Sequence, residues 1–287
     1  MFGVSAPVWA APQTFNTALP VAQGEFIFRQ QFFNQKADKD PGLTNRDVNV
    51  LGSVSVLGYG LNRDLALFGV VPVLDKTLKV TPLGDVRTKR STSGFGDARL
   101  FARYTVLSKN APGQSFRIAP FAGIKAPTGK SRIRDGLGLL PATLQLGSGS
   151  WDPFGGMIAT WQTLDFQIDA QASYKFNTSA NGFRFGDEMR LDASLQYRLL
   201  PRQLTAETTG FLYGVLEGNF LYQEKSRNNG VTLANSGGSR LFASPGLQYV
   251  TRRWIAEAIV QIPVFQNLNG TALKDNYTVR TGFRVNF

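Results

Sequence analysis

The groups best placed to do chemistry in this 287-residue chain are charged side chains that recur at even spacing. Arg99 and Arg103, Arg190 and Arg198, and Arg280 and Arg284 each lie an even number of positions apart, so in an extended strand each pair projects from one face. Arg29, Arg117, Lys125 and Lys175 hold comparable positions, and Asp97, Asp169, Asp192, Glu217 and Glu257 are the acidic counterparts. These five acids can neutralise only half of the bases. A wall with that imbalance attracts anions, and a narrow channel with low-dielectric walls focuses the attraction. Arg–carboxylate pairs can equally brace neighbouring strands, and both readings stay open.

Catalytic chemistry has little to work with. The chain contains no histidine and no cysteine, which removes the commonest general base together with imidazole and thiolate metal ligands. A Ser–His or Asp–His pair is impossible, and the adjacent Asp187 and Glu188 read as a solvated strand end. No enzymatic activity, cofactor or metal is expected. The formal charge of +11 is dispersed, without the run of five or six Lys and Arg that marks a nucleic-acid arm, so no nucleic-acid partner is expected.

The elements that would position these charges are strands. In Asp165 to Phe176, one row holds Phe166, Ile168, Ala170, Ala172, Tyr174 and Phe176, and the other holds Gln167, Asp169, Gln171, Ser173 and Lys175. No helix has that period. Glu188–Leu199 and Asp97–Val106 repeat it. The same alternation, with 30 glycines and 22 phenylalanines spread along the chain, predicts strands near Gly24–Phe33, Val48–Tyr59, Leu65–Leu74, Phe95–Leu107, Ser115–Lys125, Pro153–Trp161, Asp165–Phe176, Glu188–Leu199, Thr209–Tyr222, Leu241–Val250, Trp254–Val264 and Asn276–Phe287. Strands two, three and five are apolar on both faces, which leaves their facing undecided.

Connections then alternate long and short, with short ones at Gly60–Asp64, Gln162–Leu164 and Thr251–Arg253. A soluble sandwich has no reason for that pattern, whereas an outer-membrane barrel has turns inside the cell envelope and loops outside. No apolar run reaches the roughly 18 residues that a spanning helix needs. Tyr104, Trp161, Tyr197, Tyr249 and Trp254 fall near the short-turn ends and Tyr174, Tyr222 and Tyr277 near the long-loop ends, as aromatic girdles would. The last strand alternates through Phe283 and Val285 to Phe287, which resembles the C-terminal signal that outer-membrane proteins present to their assembly machinery.

Four segments carry a family resemblance: Ser93–Leu100 (SGFGDARL), Pro120–Gly129 (PFAGIKAPTG), Leu144–Pro153 (LQLGSGSWDP) and Gln261–Gly270 (QIPVFQNLNG). Together they resemble the outer-membrane family labelled for the MetA pathway of phenol degradation. The resemblance implies a transporter associated with the breakdown of aromatic or hydrophobic compounds, and it fixes no substrate.

The full expectation is an all-β, transmembrane, antiparallel up-and-down barrel of about twelve strands over residues 24–287. Residues 1–10 read as the remnant of an export signal, with Val8-Trp9-Ala10 fitting a signal-peptidase site, and residues 11–23 as a periplasmic lead-in. Lumen and solute binding fall to Arg99, Arg103, Arg117, Lys125, Arg190, Arg198, Arg280, Arg284, Asp97, Asp169 and Asp192, with Phe101, Phe121, Phe211 and Tyr213 as an apolar foothold. The long loop carrying Lys130, Arg132, Arg134 and Asp135 is expected to fold inward as a constriction or lid. The expected function is passage of small solutes, anionic or aromatic, across the bacterial outer membrane; the alternative is a structural or adhesive barrel. Expected partners are outer-membrane lipid and lipopolysaccharide, the barrel assembly machinery and a small-molecule solute.

Overall fold

Strands with one apolar and one polar row need two different environments, and a sheet closed on itself supplies them. The computed structural model describes residues 10–81, 86–203, 205 and 208–287, and its strands close into one twelve-stranded antiparallel barrel. The strands are β1 (Phe26–Ala37), β2 (Asp47–Gly60), β3 (Leu65–Val80), β4, β5 (Gln114–Lys125), β6 (Asp152–Thr163), β7 (Phe166–Lys175), β8 (Glu188–Leu200), β9 (Gly210–Gln223), β10 (Gly238–Thr251), β11 (Trp254–Leu268) and β12 (Tyr277–Asn286). β4 is broken into Thr88–Phe95, Arg99–Tyr104 and Leu107–Ala111. Its first piece pairs with β3 and its last with β5, so one bent strand bridges both neighbours.

Each strand pairs with the next in sequence, and β12 pairs with β1 to complete the ring, with Arg29 opposite Arg284 and Phe33 opposite Arg280. Beyond β12, Phe287 N donates to Phe26 O at 3.0 Å and Phe26 N donates to Phe287 O at 2.7 Å. Twelve strands about 4.8 Å apart and tilted about 40° give roughly 24 Å between opposite backbones. That leaves a lumen which side chains alone do not fill.

The packing is inside out relative to a soluble protein. Along β8, Leu191, Leu195 and Tyr197 are 48%, 42% and 42% exposed, whereas Asp192, Ser194 and Gln196 between them are 4%, 3% and 0% exposed. Lipid is the solvent that tolerates the first row, and the lumen satisfies the second. Tyr104, Trp161, Tyr197, Tyr249 and Trp254 are all exposed near the short-turn side, and Tyr249 packs against Trp254 at 5.6 Å. The girdle expected from sequence is present there.

Two expected features differ. β3 and the first piece of β4 run six or more residues past their expected ends, to Val80 and from Thr88. Above the membrane both faces of this ladder meet water, so polar residues such as Lys79, Lys89 and Ser91 occupy it without apolar alternation. The second difference concerns residues 11–23, expected as a periplasmic lead-in. They lie inside the barrel, because their backbone groups find partners on the polar inner wall. The expected signal remnant, residues 1–10, falls outside the described residues except for Ala10.

Candidate functional site

A peptide segment placed in a lumen must satisfy its backbone there or forfeit hydrogen bonds it would make in water. Residues 10–23 do so by crossing from the β9–β11 wall to the β2–β4 wall near the turn side. Ala10 sits among Tyr213, Val250 and Ile255. Ala11 N donates to Gln248 Oε1 at 3.2 Å, and Gln248 Nε2 returns a bond to Ala11 O at 2.6 Å. Gln13 N and Thr14 N donate to the two oxygens of Glu217 at 2.6 and 3.1 Å, and the Thr14 hydroxyl adds a short bond to the same carboxylate. Further along, Ala18 N donates to Thr160 Oγ1 at 2.8 Å and Thr17 Oγ1 to Asp169 Oδ1 at 2.9 Å. Arg103 then donates to the carbonyls of Thr17 and Leu19, and Val21 packs on Ala66 and Phe68. The segment is a plug, anchored by side chains from at least six strands.

Several expected lumen residues therefore serve the plug. Arg103, 4% exposed, is consumed by plug carbonyls and lies over the Phe68 ring at 4.9 Å. Asp169, fully buried, accepts from Thr17, Thr160 and Gln167. Arg29 joins Glu257 at 2.7 Å and donates to the carbonyls of Pro12 and Gln13. Glu257 also accepts from Gln31 and Gln248, so one carboxylate ties β1, β10 and β11 together beneath the plug.

Others brace the wall or the mouth. Lys125 pairs with Asp97 at 2.8 Å and Asp152 at 2.6 Å. Asp97 accepts from Gly129 N and Ser148 N, which pins the long β5–β6 loop to the break in β4. A Cβ at Gly147 would fall 2.2 Å from Asp97 Oδ1, so this approach requires glycine. Arg198 pairs with Asp165 at the turn side, and among the described residues the Arg117 guanidinium reaches only Ser115 and Asn110 there. Asp192 accepts from Asn219 at 2.9 Å and from Arg190 at 3.2 Å. Arg284 lines the cavity under the plug with Arg29 and Arg103.

The loop expected as a constriction forms a roof at the loop-side mouth. Lys130, Arg132, Arg134 and Asp135 are exposed, and Asp135 accepts two bonds from Arg90 on the protruding end of β4, at 2.8 and 2.7 Å. The Arg90 guanidinium holds the Asp135 carboxyl below the usual carboxylate range. Leu140, Leu144 and Leu146 are buried under the same loop, and Lys76 donates to the carbonyls of Thr143 and Gln145. Its charges face water, and the narrowing of the lumen comes from the plug.

One chamber above the plug combines charge with aromatic surface. It has a volume of about 260 Å³, with Gln13–Asn16 of the plug as its floor. Phe101, Phe121 and Phe154 form one wall, with ring centroids 6.1 to 6.5 Å apart. Gly156 makes room for Phe121: a Cβ there would fall 2.8 Å from its ring. Arg99 and Arg190 face the rings, beside a Lys175–Glu188 pair at 2.8 Å. Among the described residues Arg99 has no hydrogen-bond or ion-pair partner. Sequence reading found Arg99, Phe101 and Phe121 but missed Phe154 and the plug. Phe154 shares the inward row of β6 with Ile158, Thr160 and Gln162, a signal legible in the sequence. Phe211 and Tyr213 lie inside beside a charge, with the Arg198 guanidinium 5.9 Å from the Phe211 ring, but they cluster with Ala10 at the turn-side end and do not line this chamber.

Comparisons with known proteins agree with this architecture. The chain is similar in structure to an outer membrane channel from Pseudomonas putida F1, with a TM-score of 0.67, 14% identity, and coverage of 97% of this chain and 100% of that one. More distant likenesses are the β domain of the Bordetella autotransporter BrkA (TM-score 0.43, 13% identity, 93% and 100% covered) and the translocator domain of the autotransporter NalP from Neisseria meningitidis (0.43, 11%, 93% and 89%). No curated protein matches the sequence. A family model matches residues 34–261, the greater part of the barrel, and by that match the chain belongs to the outer-membrane β-barrel family described as the MetA-pathway of phenol degradation.

Proposed function

We propose that this outer-membrane barrel is a channel for small anionic aromatic solutes, with one-ring carboxylates as the type substrate. The observation that carries the reading is the juxtaposition of Arg99, whose guanidinium makes no hydrogen bond or salt bridge among the described residues, with the Phe101–Phe121–Phe154 wall. A planar guanidinium binds a carboxylate through paired N–H donors, while aromatic edges and faces accommodate a ring of matching shape. A chamber of about 260 Å³ suits one ring with one acidic group. The family description points to aromatic degradation, which needs uptake of such compounds.

Benzoate binding to the purified full-length chain in detergent, measured by calorimetry, tests this reading. Binding is expected to weaken at least ten-fold in Arg99→Gln, and phenol, which lacks the carboxylate, is expected to bind more weakly than benzoate. Equal affinity of wild type and Arg99→Gln would refute it. The seated plug favours a second reading, a barrel without transport, and absence of any conductance in a planar bilayer would select that one.

A further inference from the structure

Between β1, β8, β9, β10, β11 and β12 lies a second chamber, of about 320 Å³, whose chemistry differs from the aromatic one. Its lining is polar apart from Leu221 and Phe242. Three guanidiniums meet there, those of Arg190, Arg240 and Arg280, against a single lining carboxylate, Asp275. Asp275 is already paired with Arg240 at 2.8 Å and accepts from Gln35 at 3.2 Å. Asp192, just outside the lining, pairs with Arg190 at 3.2 Å. Arg280 is left over. No carboxylate pairs with it among the described residues, its Nε has no hydrogen-bond partner, and its one ring contact is Phe33 at 5.2 Å. The Phe33 face attracts a cation but accepts no directed hydrogen bond. Thr278, two residues away on the inward row of β12, lines the same chamber.

We propose that this chamber is a binding site for a small oxyanion, held by the forked donors of Arg280 with Arg190 and the Thr278 hydroxyl. Guanidinium groups bind phosphate, sulfate or carboxylate oxygens through paired N–H bonds, and the interaction strengthens where walls of low dielectric limit screening. A chloride ion has no oxygens to match the fork, so the site discriminates by geometry as well as by charge. Arg190 and Thr14 line both chambers, but Arg280 and Thr278 line only this one and Arg99, Phe101, Phe121 and Phe154 only the aromatic one, so the proposal does not depend on the aromatic reading.

Binding of inorganic phosphate and, separately, sulfate to the full chain in detergent is measured by calorimetry at ionic strength fixed with sodium chloride. The expected result is saturable binding of at least one of the two in wild type, weakened at least ten-fold in Arg280→Gln and less in Thr278→Ala, with benzoate affinity unchanged in Arg280→Gln. A second measurement on wild type covers the case in which the variant does not fold: phenylglyoxal modification read by mass spectrometry, where the bound oxyanion is expected to protect Arg280 and Arg190 but leave Arg99 reactive. Absence of saturable binding for both ions, equal affinity in Arg280→Gln, or equal protection of all arginines would overturn the proposal. Loss of benzoate binding alone would fault the aromatic reading and leave this one standing.

Discussion

Releasing the plug by one substitution at Glu217 gives a perturbation whose size follows from the structure. The Glu217 carboxylate is 1% exposed and accepts from Gln13 N, Thr14 N and the Thr14 hydroxyl. In Glu217→Gln one acceptor oxygen becomes an NH₂ that faces N–H donors, so at least one charge-assisted bond is lost and one plug donor is stranded. Bonds to charged groups contribute about 1.5–3 kcal/mol each, and an unsatisfied buried donor costs a further 1–3 kcal/mol, so docking weakens by about 2–4 kcal/mol after partial relaxation. At about 1.4 kcal/mol per factor of ten, the undocked population rises roughly 30- to 700-fold. The chain has no native cysteine, so Ala18→Cys, at a position with no exposure in the docked state, reports undocking by its labelling rate with a water-soluble maleimide. Labelling of Ala18→Cys is expected to accelerate by that factor when Glu217→Gln is added, with the barrel still heat-modifiable on gels. A change smaller than about three-fold would refute the assignment of Glu217 as the plug anchor, because the loss of one charged bond alone exceeds it.

Two further outcomes follow from the strand ends and loops. Deleting Phe287, which stacks on Phe26 at 5.7 Å and exchanges backbone bonds with it, is expected to impair membrane insertion while leaving synthesis intact; undiminished heat-modifiable protein in the membrane would contradict this. In the β1–β2 loop, hydrogen bonds from Arg46 hold the Asp40 carboxyl well below the usual carboxylate range, so its contribution is present above the unfolded value near about 3.9 and is lost only as pH falls through the lower folded value. Protease cleavage of that loop is expected to stay slow from pH 7 down to about 3.5 in wild type and to be fast throughout in Asp40→Ala; a wild-type transition near the ordinary carboxylate value would contradict the sign.

Strand identity was legible wherever lipid and lumen demanded opposite side chains. β7 and β8 were expected at Asp165–Phe176 and Glu188–Leu199 and run over Phe166–Lys175 and Glu188–Leu200, because every second residue there must be apolar. β2 resisted the same reading for a physical reason. Leu51 and Leu57 face lipid with Ser53 and Ser55 on the same row, while Val54 and Val56 face inward. The inner wall at this point is apolar because it meets Ile27, Phe68 and Val21 of the plug. A strand that packs against protein on its inner face loses the polar signature of a water-filled lumen.

The site was legible in part. Arg99 and Phe101 stood on a row whose facing the alternation settled, whereas Phe121 stood on the fifth strand, where two apolar faces left it undecided. Residues 11–23 have no strand period and no charge, and their partners Thr160, Glu217 and Gln248 lie more than 140 positions away in sequence. No local pattern announces such a segment. Its presence also reassigns Arg29, Arg103 and Asp169, which counting charges on inner rows treats as solute-facing, to holding the plug. Among the described residues, Arg99 and Arg280, lumen arginines without a salt bridge, accordingly lie higher, on either side of Arg190, which is paired with Asp192.

That placement makes ion selectivity the most direct test of the proposed function. In a planar bilayer with a salt gradient, the reversal potential of the wild-type channel is expected to show anion preference, reduced when Arg99 and Arg280 are both changed to glutamine, and benzoate is expected to decrease the current in wild type more than in that variant. A cation-selective wild-type pore, or one whose current benzoate leaves unchanged, would contradict the account.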